Sequence, residues 1–277
     1  MAKKKRSKRS RRDSKVRLKT FSPSKSYSNH KFELNFQTRH FTVSKLGEDP
    51  ASNEDSFEIS SSAKAVALSD GASRSYSPRK WSKALVSVLT DSEGEIKLED
   101  ISRVIEHANW NLKEELPWNL EEIRLRGSQA TFIRVSLTTE NRDSCRVNCL
   151  SIGDSLLVIR KNSKSRRVKL QSWPFESLDD FPNAPAVVSS IEPCLRDNAQ
   201  KSTSFVVSRG DSIYLMTDAL ARYLCSQNSA KKNIQDIFPF LGTDKNVQTN
   251  FKTWAENSRR SGLVEDDDLT LIEIALG

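Results

Sequence analysis

The sequence predicts an α+β fold in which antiparallel sheets are covered by helices. Three observations carry that expectation. Apolar residues alternate with polar ones in several short stretches, the mark of half-buried strands, while other stretches repeat at helical spacing. The two kinds of stretch come in segregated runs: strands, two helices, strands, helices, strand. No internal repeat appears in the 277 residues, so one large domain over residues 31–277 is the expected organisation.

The elements follow in order. Phe32, Leu34 and Phe36 alternate with polar residues, and Phe41 and Val43 resume the pattern. Ser56 to Ile59 and the apolar run Ala65-Val66-Ala67-Leu68 read as strands, the second buried on both faces. Pro78 suits a first helical turn, and Trp81, Leu85, Val88 and Leu89 recur at helical spacing. Ile101, Val104, Ile105, Ala108 and Leu112 predict a second helix. After Gly127, strands are expected over Thr131–Leu137, Val147–Ile152 and Ser155–Ile159. Residues 171–200 hold Pro174, Pro182, Pro185 and Pro193 and read as irregular, partly helical loop. Strands return at Ser204–Val207 and Ile213–Met216. Helices are expected over Ala219–Cys225, Ile234–Phe238 and Val247–Ser258, and a last strand over Leu269–Ala275.

The net charge of +8 is unevenly spread. Residues 1–19 hold eleven Lys or Arg and one acid, Asp13; the remainder holds 33 basic and 35 acidic residues. Residues 1–30 therefore read as a disordered basic arm, because like charges repel and nothing apolar is offered for burial. Such an arm either solubilises the chain or anchors it to nucleic acid or another acidic partner through residues 1–19. No apolar run approaches the roughly 20 residues that span a bilayer, and no apolar segment of the secretory kind follows the basic start. Cys145, Cys149, Cys194 and Cys225 lack zinc-finger spacing and read as free thiols of a cytoplasmic protein.

Carboxylates carry the chemistry. Asp55 precedes Ser56–Ile59, Asp70 ends Ala65–Ser69, Asp218 ends Ile213–Thr217, and Asp267 with Asp268 opens Leu269–Ile272. An Asp at a strand end is often only a turn former or a helix cap. Several acids at the mouths of buried strands, however, repel one another and are costly to bury without a cation. Oxygen-only ligation suits Mg²⁺ or Mn²⁺ better than zinc, and His30, His40 and His107 have no paired spacing.

The phrases around those acids resemble the protein phosphatase 2C family of metal-dependent Ser/Thr phosphatases. Asn53-Glu54-Asp55-Ser56, Leu68-Ser69-Asp70-Gly71, Gly127-Ser128-Gln129-Ala130-Thr131, Ile152-Gly153-Asp154-Ser155, Leu215-Met216-Thr217-Asp218 and Asp267-Asp268-Leu269-Thr270 occur in the family's order. The resemblance implies a sandwich of two antiparallel sheets flanked by helices. It implies that Asp70 bridges two Mn²⁺ or Mg²⁺ ions and that Gly71 offers its carbonyl. It further implies that Asp218 and Asp267 complete one shell and that Glu54 and Asp55 hold metals or their waters. Asp154, with Asp218, would help hold a third, weaker ion, as in bacterial relatives. The implied reaction is hydrolysis of phosphoserine or phosphothreonine in a phosphoprotein substrate by a metal-activated hydroxide.

The sequence departs from the family's pattern on the substrate side. Asp70-Gly71 runs into Ala72-Ser73-Arg74 without the histidine of eukaryotic members, Ala219 follows Asp218 where glycine is usual, and Leu156 stands where arginine commonly follows Gly-Asp-Ser. The arginine that clamps phosphate has no counterpart between His40 and Asn53, where Lys45 is the sole cation; Arg39 and Arg74 lie further off. Lysine binds phosphate as a point charge, without the bidentate fork. Lys45, Arg39 and Arg74 are the phosphate-binding candidates. The alternative function is a phosphatase-like module that binds a phosphorylated partner with little or no turnover.

Overall fold

The computed structural model describes residues 36–60, 64–91, 97–108, 121, 127–162, 169–191, 199–227, 234–241 and 246–277. The basic arm, Phe32 and Leu34 of the first expected strand, Leu112 of the second helix and Cys194 lie outside the described residues. Eleven strands are described: β1 (Phe36–Val43), β2 (Ser56–Ser60), β3 (Ala65–Gly71), β4 (Gln129–Thr139), β5 (Ser144–Ile152), β6 (Leu156–Lys161), β7 (Lys169–Trp173), β8 (Val188–Ser189), β9 (Lys201–Ser208), β10 (Ser212–Met216) and β11 (Leu269–Leu276). The helices are α1 (Pro78–Asp91), α2 (Leu98–His107), α3 (Asp218–Ser226), α4 (Ile234–Ile237) and α5 (Val247–Arg260), with short 3₁₀ turns between elements.

The period-2 pattern explains the layering. Every residue of β10 is buried, so that strand needs a layer on each face. Ile213 and Leu215 face a core shared with Ile272 and Ile274 of β11, Leu68 of β3, Ile133 and Val135 of β4 and Val147 of β5. Tyr214 and Met216 face the other way, onto Leu220 and Leu224 of α3 and Phe251 and Ala255 of α5. One sheet has the order β1-β11-β10-β6-β7; the other has β2-β3-β4-β5-β9, with β8 added on β4. All these pairs are antiparallel. The outer face of the second sheet is covered by α1 and α2 through Trp81, Leu85, Leu89, Ile101 and Val104. Trp81 is fully buried, and its indole N–H donates to the Val188 carbonyl at 3.1 Å, which fixes α1 to β8. The result is a two-sheet antiparallel sandwich between helical layers, as the sequence predicts.

Residues 171–200 correct the sequence reading. Lys169–Trp173 pairs with β6 as an edge strand, and Val188–Ser189 pairs with Gln129 and Ala130. The four-proline stretch is thus partly sheet. A short edge strand containing Gln171 and Ser172 shows little apolar alternation, and its pairing partner rather than its own pattern holds it in place. The fourth expected helix is shorter than predicted, ending at Ile237 and followed by a 3₁₀ turn over Pro239–Leu241. Among the described residues no helix is long and apolar enough to cross a membrane. Cys145, Cys149 and Cys225 are free thiols, and burial pushes the Cys149 thiol up to about 12.

Candidate metal centre

Antiparallel pairing gathers the acids. Ser56 stands opposite Ser69, so the start of β2 lies beside the end of β3 and brings Asp55 to Asp70. Met216 stands opposite Leu271, so the end of β10 lies beside the start of β11 and brings Asp218 to Asp267. Val43 stands opposite Leu269, which places Lys45 just past β1 at the same end. Asp154 lies in the turn that carries the chain from β5 in one sheet to β6 in the other. Aspartates up to 212 positions apart, Asp55 to Asp267, thus meet at one end of the sandwich.

Hydroxyls join the two halves. Thr217 is buried; its hydroxyl accepts the Thr270 N–H at 3.0 Å and donates to Asp55 Oδ2 at 3.1 Å. Asp55 Oδ1 is buried and, among the described residues, meets no hydrogen-bond donor. Burial pushes the Asp55 carboxyl well above the ordinary carboxylate range, and the charges of Asp268 and Asp218 push the same way against the Thr270 and Thr217 hydroxyls. Burial likewise pushes the Asp70 carboxyl well up, reinforced by Asp55, Asp218, Asp267 and Asp154. The Asp218 carboxyl is pushed up to about 7 by burial and by Asp154 and Asp267, against the Ala219 N–H and the Arg222 guanidinium. Asp154 is also raised by burial, with Arg222 opposing. Acids that raise one another in this way lack positive charge.

The cations present are shared unequally. Arg222 lies one helical turn beyond Asp218 on α3, with Nε 3.9 Å from Asp218 Oδ2 and Nη2 3.6 Å from Asp154 Oδ2. Lys45 Nζ lies 3.1 Å from Glu54 Oε2 and 3.3 Å from Asp267 Oδ1. Burial acts to lower the Lys45 ammonium, but Glu54 and Asp267 overrule it and hold it above its ordinary value. Arg39 stands apart from the acids, in the middle of β1 opposite Glu273. Its guanidinium pairs with the Glu273 carboxylate, which also accepts the Tyr214 hydroxyl at 3.0 Å. Arg74 is exposed on the loop after Gly71. Lys45 and Arg39, both phosphate-binding candidates, are therefore engaged with carboxylates.

The sequence reading missed three contributors, Arg222, Thr217 and Thr270. Arg222 is signalled by its i,i+4 spacing from Asp218. Thr217 and Thr270 gave no separate signal. Asp268 stands beside Asp267 and does different work. Its carboxylate accepts the Lys45 N–H at 3.1 Å and the Glu54 N–H at 2.7 Å, tying the loop after β1 to the start of β11. Asp268→Ala leaves both donors unpaired, so we expect a loss of about 2–3 kcal/mol in stability, measured by urea denaturation.

Backbone features explain the altered phrases. Gly71 is required by close approach: a Cβ there would sit 2.7 Å from the Pro78 carbonyl oxygen at the start of α1. The loop after it is fixed by the entry to β4, since Ala72 N–H donates to the Gln129 carbonyl at 2.9 Å and Tyr76 N–H to the Gly127 carbonyl at 2.8 Å. Ala219 is the second residue of α3, so alanine causes no strain there. Leu156 begins β6 and is fully buried against the α3–α5 layer, a position in which a charged side chain would be costly.

The donor set is all oxygen, and the orphaned Asp55 Oδ1 and mutually raised acids fit a hard divalent ion. The set is not closed, however: among the described residues no three His, Cys, Asp or Glu side chains are grouped tightly enough to hold one ion as they stand. A cleft of about 550 Å³ lies between the loop carrying Lys45 and Asn53 and the Lys252–Glu256 face of α5; Lys45 lines it, but Asp55, Asp70, Asp154, Asp218 and Asp267 do not.

No family model matches the sequence, and no curated protein matches it. Solved structures share its fold. PppA, described as a key regulatory component of the T6SS in Pseudomonas aeruginosa, superposes with a TM-score of 0.55 at 16% identity, covering 88% of this chain and 99% of that one. The catalytic domain of the serine/threonine protein phosphatase PstP, solved in complex with 2 manganese ions, gives 0.54 at 15% identity over 88% and 99%. Stp1 from Staphylococcus aureus, a serine/threonine phosphatase, gives 0.53 at 16% identity over 88% and 96%. The fold is therefore the protein phosphatase 2C-like sandwich.

Proposed function

We propose that this chain is a metal-dependent phosphoprotein phosphatase acting on phosphoserine and phosphothreonine. The observation that carries the reading is the convergence of Asp55, Asp70, Asp154, Asp218 and Asp267 at one end of the sandwich, with Asp55 Oδ1 buried and without a hydrogen bond. The shared fold with serine/threonine phosphatases, one of them solved with manganese, supports it.

Asp70, Asp55 and Asp218 would hold a divalent Mn²⁺ or Mg²⁺ ion. The family resemblance would give Glu54, Asp267 and the Gly71 carbonyl to a second ion and Asp154 with Asp218 to a third, but Lys45 and Arg222 already stand against those two groups. Such an ion supplies Lewis-acid activation of water and of the phosphoryl group. The chain's own residues do the positioning. Thr217 orients Asp55, and Asp268 orients Glu54 through its backbone. Arg74, exposed on the loop after Gly71, is a candidate cation for the incoming phosphate.

The test is phosphate release from a phosphothreonine peptide. Activity is expected with Mn²⁺, lost on chelation and restored by adding Mn²⁺ back. Equal background release from loaded and chelated protein would refute the enzyme. A phosphate-binding module without turnover is the second reading, favoured by the departures on the substrate side, where no arginine stands between His40 and Asn53. It predicts phosphopeptide binding with no release in that assay.

A further inference from the structure

We propose that the Lys45 ammonium is a resident cation of the acidic cluster, holding Glu54 and Asp267 in place of one divalent ion. The inference rests on the metal-dependent reading above and concerns how many ions the site takes up.

An ammonium carries three donors, and Lys45 has three acceptors within reach. Nζ lies 3.1 Å from Glu54 Oε2, 2.8 Å from Ser73 Oγ and 3.3 Å from Asp267 Oδ1. The Ser73 hydroxyl in turn donates to Glu54 Oε2 at 2.5 Å, closing a ring of lysine, serine and glutamate. The lysine itself is anchored, since its backbone N–H donates to Asp268 Oδ1. Its side chain is 21% exposed and that of Glu54 19%, so the pair is not a loose surface contact.

Glu54 and Asp267 come from opposite sheets, the first before β2 and the second before β11. Two carboxylates facing each other across the sandwich need positive charge between them, and here a side chain supplies it. A divalent ion at the same place would have to break these charge-assisted hydrogen bonds and would be repelled by the ammonium. Among the described residues no hydrogen-bond donor, ammonium included, meets Asp55 Oδ1. The acids thus divide into a pair neutralised by Lys45 and a group around Asp55, Asp70 and Asp218 left for a metal. With its donors occupied, Lys45 is a structural cation of the site rather than a phosphate ligand.

The test is a Mn²⁺ titration of the chelated full chain by calorimetry, comparing wild type with Lys45→Met, Lys45→Gln and Lys45→Arg. Wild type and Lys45→Arg are expected to bind one Mn²⁺. Lys45→Met is expected to bind two, the second at least tenfold tighter than any second ion in wild type. Its electron paramagnetic resonance spectrum should show two coupled ions. Lys45→Gln keeps donors without the charge and gives the same reading if Lys45→Met fails to fold. Equal stoichiometry in wild type and the neutral variants, whether one ion or two, overturns the role of Lys45 and leaves the metal reading intact. No Mn²⁺ in any variant, with circular dichroism showing folded protein, overturns the metal reading itself.

Discussion

Asp70→Asn is expected to abolish phosphate release while making the metal-free protein more stable. The two effects have one origin. Asp70 lies among Asp55, Asp218, Asp267 and Asp154, all of which push its carboxyl upward together with burial. Removing its charge relieves those neighbours and takes away the acid at the centre of the proposed metal site. Lewis-acid stabilisation is worth several kcal/mol and each 1.36 kcal/mol is tenfold in rate, so release should fall by roughly a thousandfold or more.

The stability arm has a definite sign. A carboxyl raised in the folded state binds its proton more tightly folded than unfolded. Metal-free wild type should therefore gain stability as pH falls from about 7, where Asp218 titrates, toward the ordinary carboxylate range, and lose it again as pH rises. Asp70→Asn should be the more stable protein at pH 8, by on the order of 1–3 kcal/mol, with the difference shrinking toward pH 5. Mn²⁺ should raise the melting temperature of wild type and leave the variant unmoved. Thermal melts with and without chelator, at three pH values, measure all of this. An equal Mn²⁺ shift in both proteins would contradict the assignment of Asp70.

The second large effect is expected at Gly153. This residue has φ +105° in the turn between β5 and β6, and a Cβ there would lie 2.4 Å from both Cβ and Cγ2 of Thr131. Thr131 belongs to the central strand β4 and pairs with Asp70, so it cannot move without disturbing β3. Gly153→Ala combines backbone strain of about 1–3 kcal/mol with overpacking of about 1–3 kcal/mol. We expect a loss of roughly 2–5 kcal/mol by urea denaturation, together with misplacement of Asp154. Gly47 is the control: its φ is +81°, but none of the described residues lies within 4 Å of a Cβ added there. Gly47→Ala should cost only the strain. Equal losses at both positions would show that the contact with Thr131 carries no weight.

Much of the architecture was legible because burial leaves a local imprint. Ile213, Leu215, Tyr214 and Met216 show by their run that β10 is covered on both faces, and Trp81, Leu85, Val88 and Leu89 show which side of α1 meets the sheet. Asp55, Asp70, Asp218 and Asp267 could be picked out because each adjoins such a run. The edge strand β7 and the two-residue β8 left no comparable pattern, since an edge is held by its neighbour's hydrogen bonds rather than by two apolar faces.

The sequence by itself determined the layers and the acids at their ends, because side-chain periodicity records which face of each element is hidden from water. Only the tertiary structure decided how charge is shared among those acids. Arg39 meets Glu273 across 234 positions of chain, Lys45 meets Asp267 across the β1–β11 pair, and Asp268 grips Glu54 from the opposite sheet. Such partners are fixed by strand register, by the packing of one sheet on the other and by the reach of a side chain. A lysine and an arginine that read in sequence as phosphate-binding candidates were thereby drawn to carboxylates, Lys45 to the acids crowded at the end of the sandwich and Arg39 to Glu273 in the middle of the β1–β11 pair.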